Sequence, residues 1–137
     1  GTLSVILSSL LEVHGFSIMS ADGQVLRTYE SRTPASVARQ MNYPVSLAVD
    51  RQGFLLVADM NNNRILVVNP QLTAARPLPL PPDTEMSSPI ALWFDESRGR
   101  LYVGEYGGQR RLLVIDNVFN ISSALLGDSA NQSVPAL

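Results

Sequence analysis

The feature that most constrains this chain is a unit of short strands that recurs after about 45 residues. Its first copy is NYPVSLAVDRQGFLLVADMNNNRILVVN, residues 42–69. VSLAVD (45–50) is apolar and follows a proline. Arg51-Gln52-Gly53 is a turn signal, because glycine takes a positive φ at no steric cost. FLLVAD (54–59) is a continuous apolar run too short for an independent helix, and so reads as a buried strand. MNNN (60–63) is a polar loop, and RILVVN (64–69) is a third strand. Runs this short at this spacing cannot each cross over to a parallel neighbour, which leaves an antiparallel meander.

The second copy is SSPIALWFDESRGRLYVGEYGGQRRLLVID, residues 87–116. Pro89 follows Pro44 by 45 residues, and Asp95 follows Asp50 by 45. Gly99 lies 46 after Gly53, Glu105 lies 46 after Asp59, and Arg111 lies 47 after Arg64. The offset grows only where a loop gains a residue. A period near 45 with strand-only content predicts a propeller rather than a helical solenoid. The second copy departs from the first at Glu105, which replaces Asp, and at Gly107-Gly108, which replace the asparagine pair.

Pro44, Ala48-Val49-Asp50, Gly53, Val57-Ala58-Asp59 and Asn62-Asn63-Arg64-Ile65 together resemble an NHL repeat. That family builds β-propellers with one four-stranded blade per repeat and commonly six blades. The resemblance implies an all-β fold of four-stranded antiparallel blades, about half of a six-bladed ring. It also implies a likeness to the C-terminal NHL domain of tripartite-motif-like proteins, which recognises substrates behind RING, B-box and coiled-coil segments. None of those segments is present in this chain.

The repeat recurs in part upstream. FSIMS (16–20) aligns with ILVVN (65–69), and ADG (21–23) is a hairpin turn into QVLRTYE (24–30). TLSVIL (2–7) aligns with the strand at 54–58. Residues 1–30 therefore read as a partial blade lacking its first strand, and 31–43 as an inter-blade loop with a helical turn in SVARQM. Residues 44–82 and 83–126 read as complete blades, and 127–137 as a polar tail. The outer strands expected are TAARPLPL (73–80), with edge prolines at 77 and 79, and NVFNISSALL (117–126). The expected total is eleven strands, just under three blades, whereas propellers have about four to eight. Either the chain starts inside a blade, as a fragment or processed product, or two copies associate to complete the propeller.

Composition narrows the function classes. The net charge of −2 supplies no footprint for nucleic acid or an anionic membrane. Absence of Cys excludes disulfides and thiolate chemistry. All ten basic residues are Arg, for which the sequence offers no physical reason. No run reaches the ~18 apolar residues of a membrane span, so the chain reads as soluble and cytoplasmic. The sequons Asn120-Ile121-Ser122 and Asn131-Gln132-Ser133 keep a secreted origin open.

Asp50, Asp59 and Asp95 stand at strand ends, where carboxylates bond nearby backbone N–H groups. They recur with the repeat, as do Glu105, Arg64 and Arg111, and a structural role explains recurrence better than catalysis does. Arg64 and Arg111, each across from the carboxylate at the preceding strand end, are expected to form intra-blade pairs. His14 is the single histidine and cannot build a metal site alone. No serine has a nucleophile-elbow context. No catalytic residue, metal or cofactor is expected. Trp93 reads as core between blades. Arg98, Arg100, Arg110 and Arg111, with Tyr102 and Tyr106 between them, form a basic-aromatic cluster of the kind single-stranded RNA needs, interrupted by Glu96 and Glu105.

The expected binding face comprises two equivalent loops, Met60, Asn61, Asn62 and Asn63, and Tyr106, Gly107, Gly108, Gln109 and Arg110. The function this reading supports is a non-catalytic protein-interaction module whose partner the sequence does not specify. Single-stranded RNA binding is the alternative, and a metal-dependent hydrolase or lyase on a propeller scaffold is third.

Overall fold

The computed structural model describes residues 3–10, 13–30 and 41–121, and these are all-β with no α-helix. The readings for 31–40 and 122–137 lie outside them. Three antiparallel sheets follow one another along the chain. The first holds β1 (Leu3–Leu10), β2 (Val13–Ser20) and β3 (Val25–Glu30). The second holds β4 (Pro44–Val49), β5 (Leu55–Asp59), β6 (Arg64–Val68) and β7 (Ala75–Pro77). The third holds β8 (Pro89–Asp95), β9 (Arg100–Glu105) and β10 (Leu112–Ile115). Within each sheet the strands pair in sequence order, the pattern of successive hairpins. β1 lies against β4 as β5 lies against β8, and β4 itself lies against β8.

The middle sheet is apolar on both faces because it is covered on both. Leu55, Val57, Leu66 and Val68 point to one side and bury with Met41, Leu72 and Ala75. Leu56, Ala58, Ile65 and Val67 point to the other and bury against Leu101, Val103 and Ile115 of the third sheet. Hence FLLVAD and RILVVN read as continuous hydrophobic runs, whereas β9 alternates between buried and half-buried residues.

The two copies of the repeat share a register defect. Pro44 pairs with Asp59 and Ser46 with Ala58, leaving Val45 as an extra residue. Pro89 pairs with Glu105 and Ala91 with Gly104, leaving Ile90 in the same role. The first hairpin turn is held by Asp50, whose Oδ1 accepts from Gln52 N at 2.9 Å and Phe54 N at 2.8 Å, while Gly53 takes φ 91°. In the second copy this turn gains a residue and becomes a 3-10 turn, Glu96–Arg98, closed by Gly99 at φ 62°. That insertion moves the repeat offset from 45 to 46.

Three expectations are corrected. The described residues hold ten strands, and the eleventh expected, 117–126, runs on beyond them at 122. Residues 117–121 do not begin an outer strand: Asn117 and Asn120 are left-handed, and Val118 N donates to Gly99 O at 2.7 Å instead of laddering with β10. Val118 and Ile121 turn into the core. The outer strand of the middle sheet shortens to Ala75–Pro77, because Thr73 N and Ala74 N are taken by Asn69 Oδ1 in the preceding turn. Trp93 is not core. It is 61% exposed and stacks on Tyr102 at 5.0 Å between centroids, on the face of the third sheet turned away from the second.

Candidate interaction surface

The surface is built on a pair of latches at the same end of the second and third sheets. In the second, Asp59 ends β5 and is fully buried. Its Oδ1 accepts from Asn42 N at 2.8 Å, and its Oδ2 accepts from Arg64 Nε at 2.8 Å and from the Asn62 amide at 2.9 Å. In the third, Glu105 ends β9; its Oε2 accepts from Ser87 N and its Oε1 from Arg111 Nε, each at 2.5 Å. Each carboxylate therefore ties the approach to one strand to the arginine that opens another. Asp59 and Arg64 are direct cross-strand partners, which makes the first ion pair a consequence of register.

The residues just before Pro44 and Pro89 complete the latch. Tyr43 and Ser88 hold φ values of 63° and 49°, a left-handed backbone that side-chain-bearing residues seldom adopt. Their carbonyls accept from Met60 N at 3.1 Å and Tyr106 N at 2.9 Å. One residue earlier, Asn42 O and Ser87 O accept from Asn61 N and Gly107 N. Asn42, Tyr43, Ser87 and Ser88 were not among the expected site residues. Their signal was available, since each pair is separated by the same 45 residues as the prolines.

Loop 60–63 is a 3-10 turn, Met60–Asn62, closed by Asn63 at φ 54°. Loop 106–110 is closed by Arg110 N donating to Gly107 O at 3.1 Å, with Gly108 and Arg110 left-handed. The two loops meet at Ser88. Its N–H donates to Asn63 Oδ1 at 2.8 Å, and its carbonyl accepts from Tyr106 N. Beside this junction the Arg110 guanidinium stacks over the exposed Tyr106 ring at 4.5 Å, a cation–π platform. The expected loop residues are thus brought together, with Asn61, Asn62, Asn63, Gln109 and Arg110 all exposed.

The other arginines of the basic-aromatic cluster are dispersed. Arg98 and Arg100 lie at the opposite end of β9 from Arg110 and Arg111, and six strand residues span about 20 Å. Arg98 pairs with Asp95 at 2.8 Å, Arg100 with Asp116 at 2.7 Å, and Arg111 with Glu105. The hydrogen bond from Arg98 holds the Asp95 carboxyl below the ordinary aspartate range, and that from Arg100 to Asp116 raises the guanidinium still further. Arg111 Nη2 also donates to Glu85 O at 2.7 Å. Arg64 Nη2 is buried without a partner among the described residues; the position 45 before Glu85 is Gln40, which lies outside them.

Residues 41–68 match the family model of the NHL repeat. The middle sheet carries an NHL repeat. The match covers β4, β5 and β6 together with the Asp59–Arg64 latch, so the third sheet, which repeats the latch with Glu105 and Arg111, is a second copy in geometry as in sequence. The all-β arrangement of antiparallel sheets among the described residues is consistent with part of an NHL β-propeller. No curated protein matches the chain. Among the described residues no three His, Asp or Glu side chains gather as metal ligands would, and no helix is long and apolar enough to cross a membrane. His14 stands on β2, in register with Ser9 of β1.

Proposed function

We propose that this NHL-repeat protein is a non-catalytic interaction module that binds a protein partner through loops 60–63 and 106–110. The observation that carries this reading is the Ser88 junction, which joins loops from successive sheets into one surface. Pre-ordered loops lose little entropy on binding, and an exposed tyrosine under an arginine is the kind of anchor that dominates protein interfaces. The carboxylates beneath, Asp59 and Glu105, are engaged by backbone and arginine, which supports a structural role for them. The same holds for Asp50 in its turn and Asp95 with Arg98.

Single-stranded RNA is the second reading, and the Tyr106–Arg110 stack is the observation in its favour. The pairing of Arg98, Arg100 and Arg111 with carboxylates counts against it. A photo-crosslinker placed at Gln109 tests the protein reading: it captures a partner that the same probe at Asp22 does not, and Arg110→Ala abolishes capture. RNA binding instead predicts that a mixed-sequence oligonucleotide binds with a steep salt dependence, reduced in Arg110→Ala by about one unit of log–log slope. The cytoplasm is the compartment we assign to this activity. Self-association that completes the propeller is a further contact we propose, and it uses the face that bears Trp93.

A further inference from the structure

Asn63 and Arg110 occupy the same position of the repeat. Each closes its loop immediately before the latch arginine, 47 residues apart, and each is left-handed, at φ 54° and 52°. Asparagine tolerates that backbone because its short amide bonds locally, whereas arginine has no such compensation. Asn63 places its side chain on Ser88 of the next sheet. The Arg110 side chain instead folds back over Tyr106 of its own loop, with its guanidinium 4.5 Å from the ring centroid and Nη2 donating to the tyrosine hydroxyl at 3.3 Å. A strained residue on an exposed loop, held by a contact worth little to the fold, points to a use outside the fold.

The charge around Arg110 says what that use is. Arg51, Arg64, Arg98, Arg100 and Arg111 each pair with a carboxylate, and Arg76 is engaged within the chain. Arg110 pairs with no carboxylate among the described residues. Neither loop contains an acidic residue, and Asp59 and Glu105 beneath them are buried against Arg64 and Arg111. Asp83 and Glu85 are exposed on the connection to β8, at the flank beside Arg111 rather than in either loop. The loop surface therefore carries one uncompensated positive charge. Next to it Gly108 offers bare backbone, with nothing within 4 Å of where its Cβ would stand, so an incoming main chain can approach closely.

We propose that Arg110 anchors a carboxylate of the protein partner, which docks through an acidic segment. The proposal rests on the reading of loops 60–63 and 106–110 as the partner surface. Tyr106 holds the planar fork from one side, leaving its other donors for the two oxygens of an aspartate or glutamate. One unpaired guanidinium matches one carboxylate; a nucleic-acid strand needs a row of cations, and the neighbouring arginines are already paired.

The test is selection of a random peptide phage library on the whole chain, then titration of an enriched synthetic peptide against wild type, Arg110→Asn and Arg110→Lys. The enriched peptides share an Asp or Glu at one position, and replacing it by the amide weakens binding about tenfold or more. Arg110→Asn causes the same loss without lowering the thermal unfolding midpoint, and the two changes together lose no more than either alone. Arg110→Lys, which keeps the charge without the fork, loses part of the affinity. Peptides captured by the crosslinker at Gln109 that share no acidic residue would overturn the carboxylate anchor and leave the loops as the binding surface. Acidic peptides that bind Arg110→Asn as tightly as wild type would also overturn it, as would a lowered midpoint, which would make Arg110 a structural residue. If no peptide is enriched the anchor falls, and if a mixed-sequence RNA oligonucleotide then binds through Arg110 the protein reading falls with it.

Discussion

Asn63 and Ser88 are joined across successive sheets, with Asn63 Oδ1 accepting from Ser88 N at 2.8 Å. Both residues are left-handed, at φ 54° and 49°, so the bond couples two backbone conformations that each cost free energy. Asn63 closes the 3-10 turn of one loop, and Ser88 supplies the carbonyl to which Tyr106 of the other is bonded. Removing the side chain at 63 should loosen both loops at once.

Asn63→Gly and Asn63→Ala separate the two contributions. Glycine keeps the left-handed backbone and loses the bond to Ser88; alanine loses the bond and is strained as well. Hydrogen exchange at the Ser88 amide should accelerate in both variants. Asn63→Ala should be the less stable by about 1 kcal/mol, the strain of a side chain in left-handed backbone. Equal stabilities, or an unchanged Ser88 amide, would refute the coupling.

The two latches should differ in their contribution to stability. Asp59 is fully buried and its arginine nearly so, whereas Arg111 has half its side chain in solvent. Asp59→Asn leaves a cation buried without its partner and should cost about 3 kcal/mol. In Glu105→Gln the arginine can recover water, and the loss should fall to about 1 kcal/mol. Chemical denaturation of the two variants checks the order, and a larger loss for Glu105→Gln would contradict it.

Much of this was legible from the repeat. The strands at 44–49, 55–59, 64–68, 89–95, 100–105 and 112–115 follow from apolar runs, their punctuation and a fixed spacing. The Asp59–Arg64 and Glu105–Arg111 pairs were also legible, because the residues at the two ends of one hairpin loop must face each other. The position of Trp93 was not. Alternation puts Trp93 on one face and Phe94 on the other, but which face meets a neighbouring sheet depends on the order of packing, to which local pattern is blind. The missing outer strand at 117–121 failed for a different reason. Its asparagines tolerate left-handed backbone, and Val118 and Ile121 gain more by capping the core than by extending a ladder. Ser88 escaped notice because its contribution is a backbone N–H and C=O, which a side-chain pattern does not encode.

Gly99 and Gly108 offer a comparison in which backbone strain is nearly constant. Their φ values are 62° and 58°, so an alanine at either is strained by a similar amount, about 1 kcal/mol. At Gly108 the added Cβ meets open space, whereas at Gly99 it falls inside the Phe119 ring. Gly99→Ala should therefore displace Phe119, which is half exposed and free to swing, and loosen the segment that follows β10. Limited proteolysis should cut near 117–121 faster in Gly99→Ala than in Gly108→Ala. Identical digestion patterns would show that Phe119 contributes nothing to that segment.

The last prediction concerns the face that bears Trp93. Leu56, Ala58, Ile65 and Val67 of the second sheet are buried beneath the third. Their repeat counterparts are Tyr102, Gly104, Leu112 and Val114, which with Trp93 form the outward face of the third sheet. Trp93, Leu112 and Val114 are exposed, a contiguous apolar surface of the kind that in the preceding sheet is covered by another sheet. If a second copy supplies the cover, light scattering across a concentration series should show the mass rising toward twice that of the chain. Trp93→Asp should then return it to monomer without lowering the stability of the second sheet, since Trp93 belongs to neither buried core cluster. A wild type that stays monomeric while binding a hydrophobic dye, with dye binding lost in Trp93→Asp, would reject the second copy. The cover would then belong to further blades of the same polypeptide.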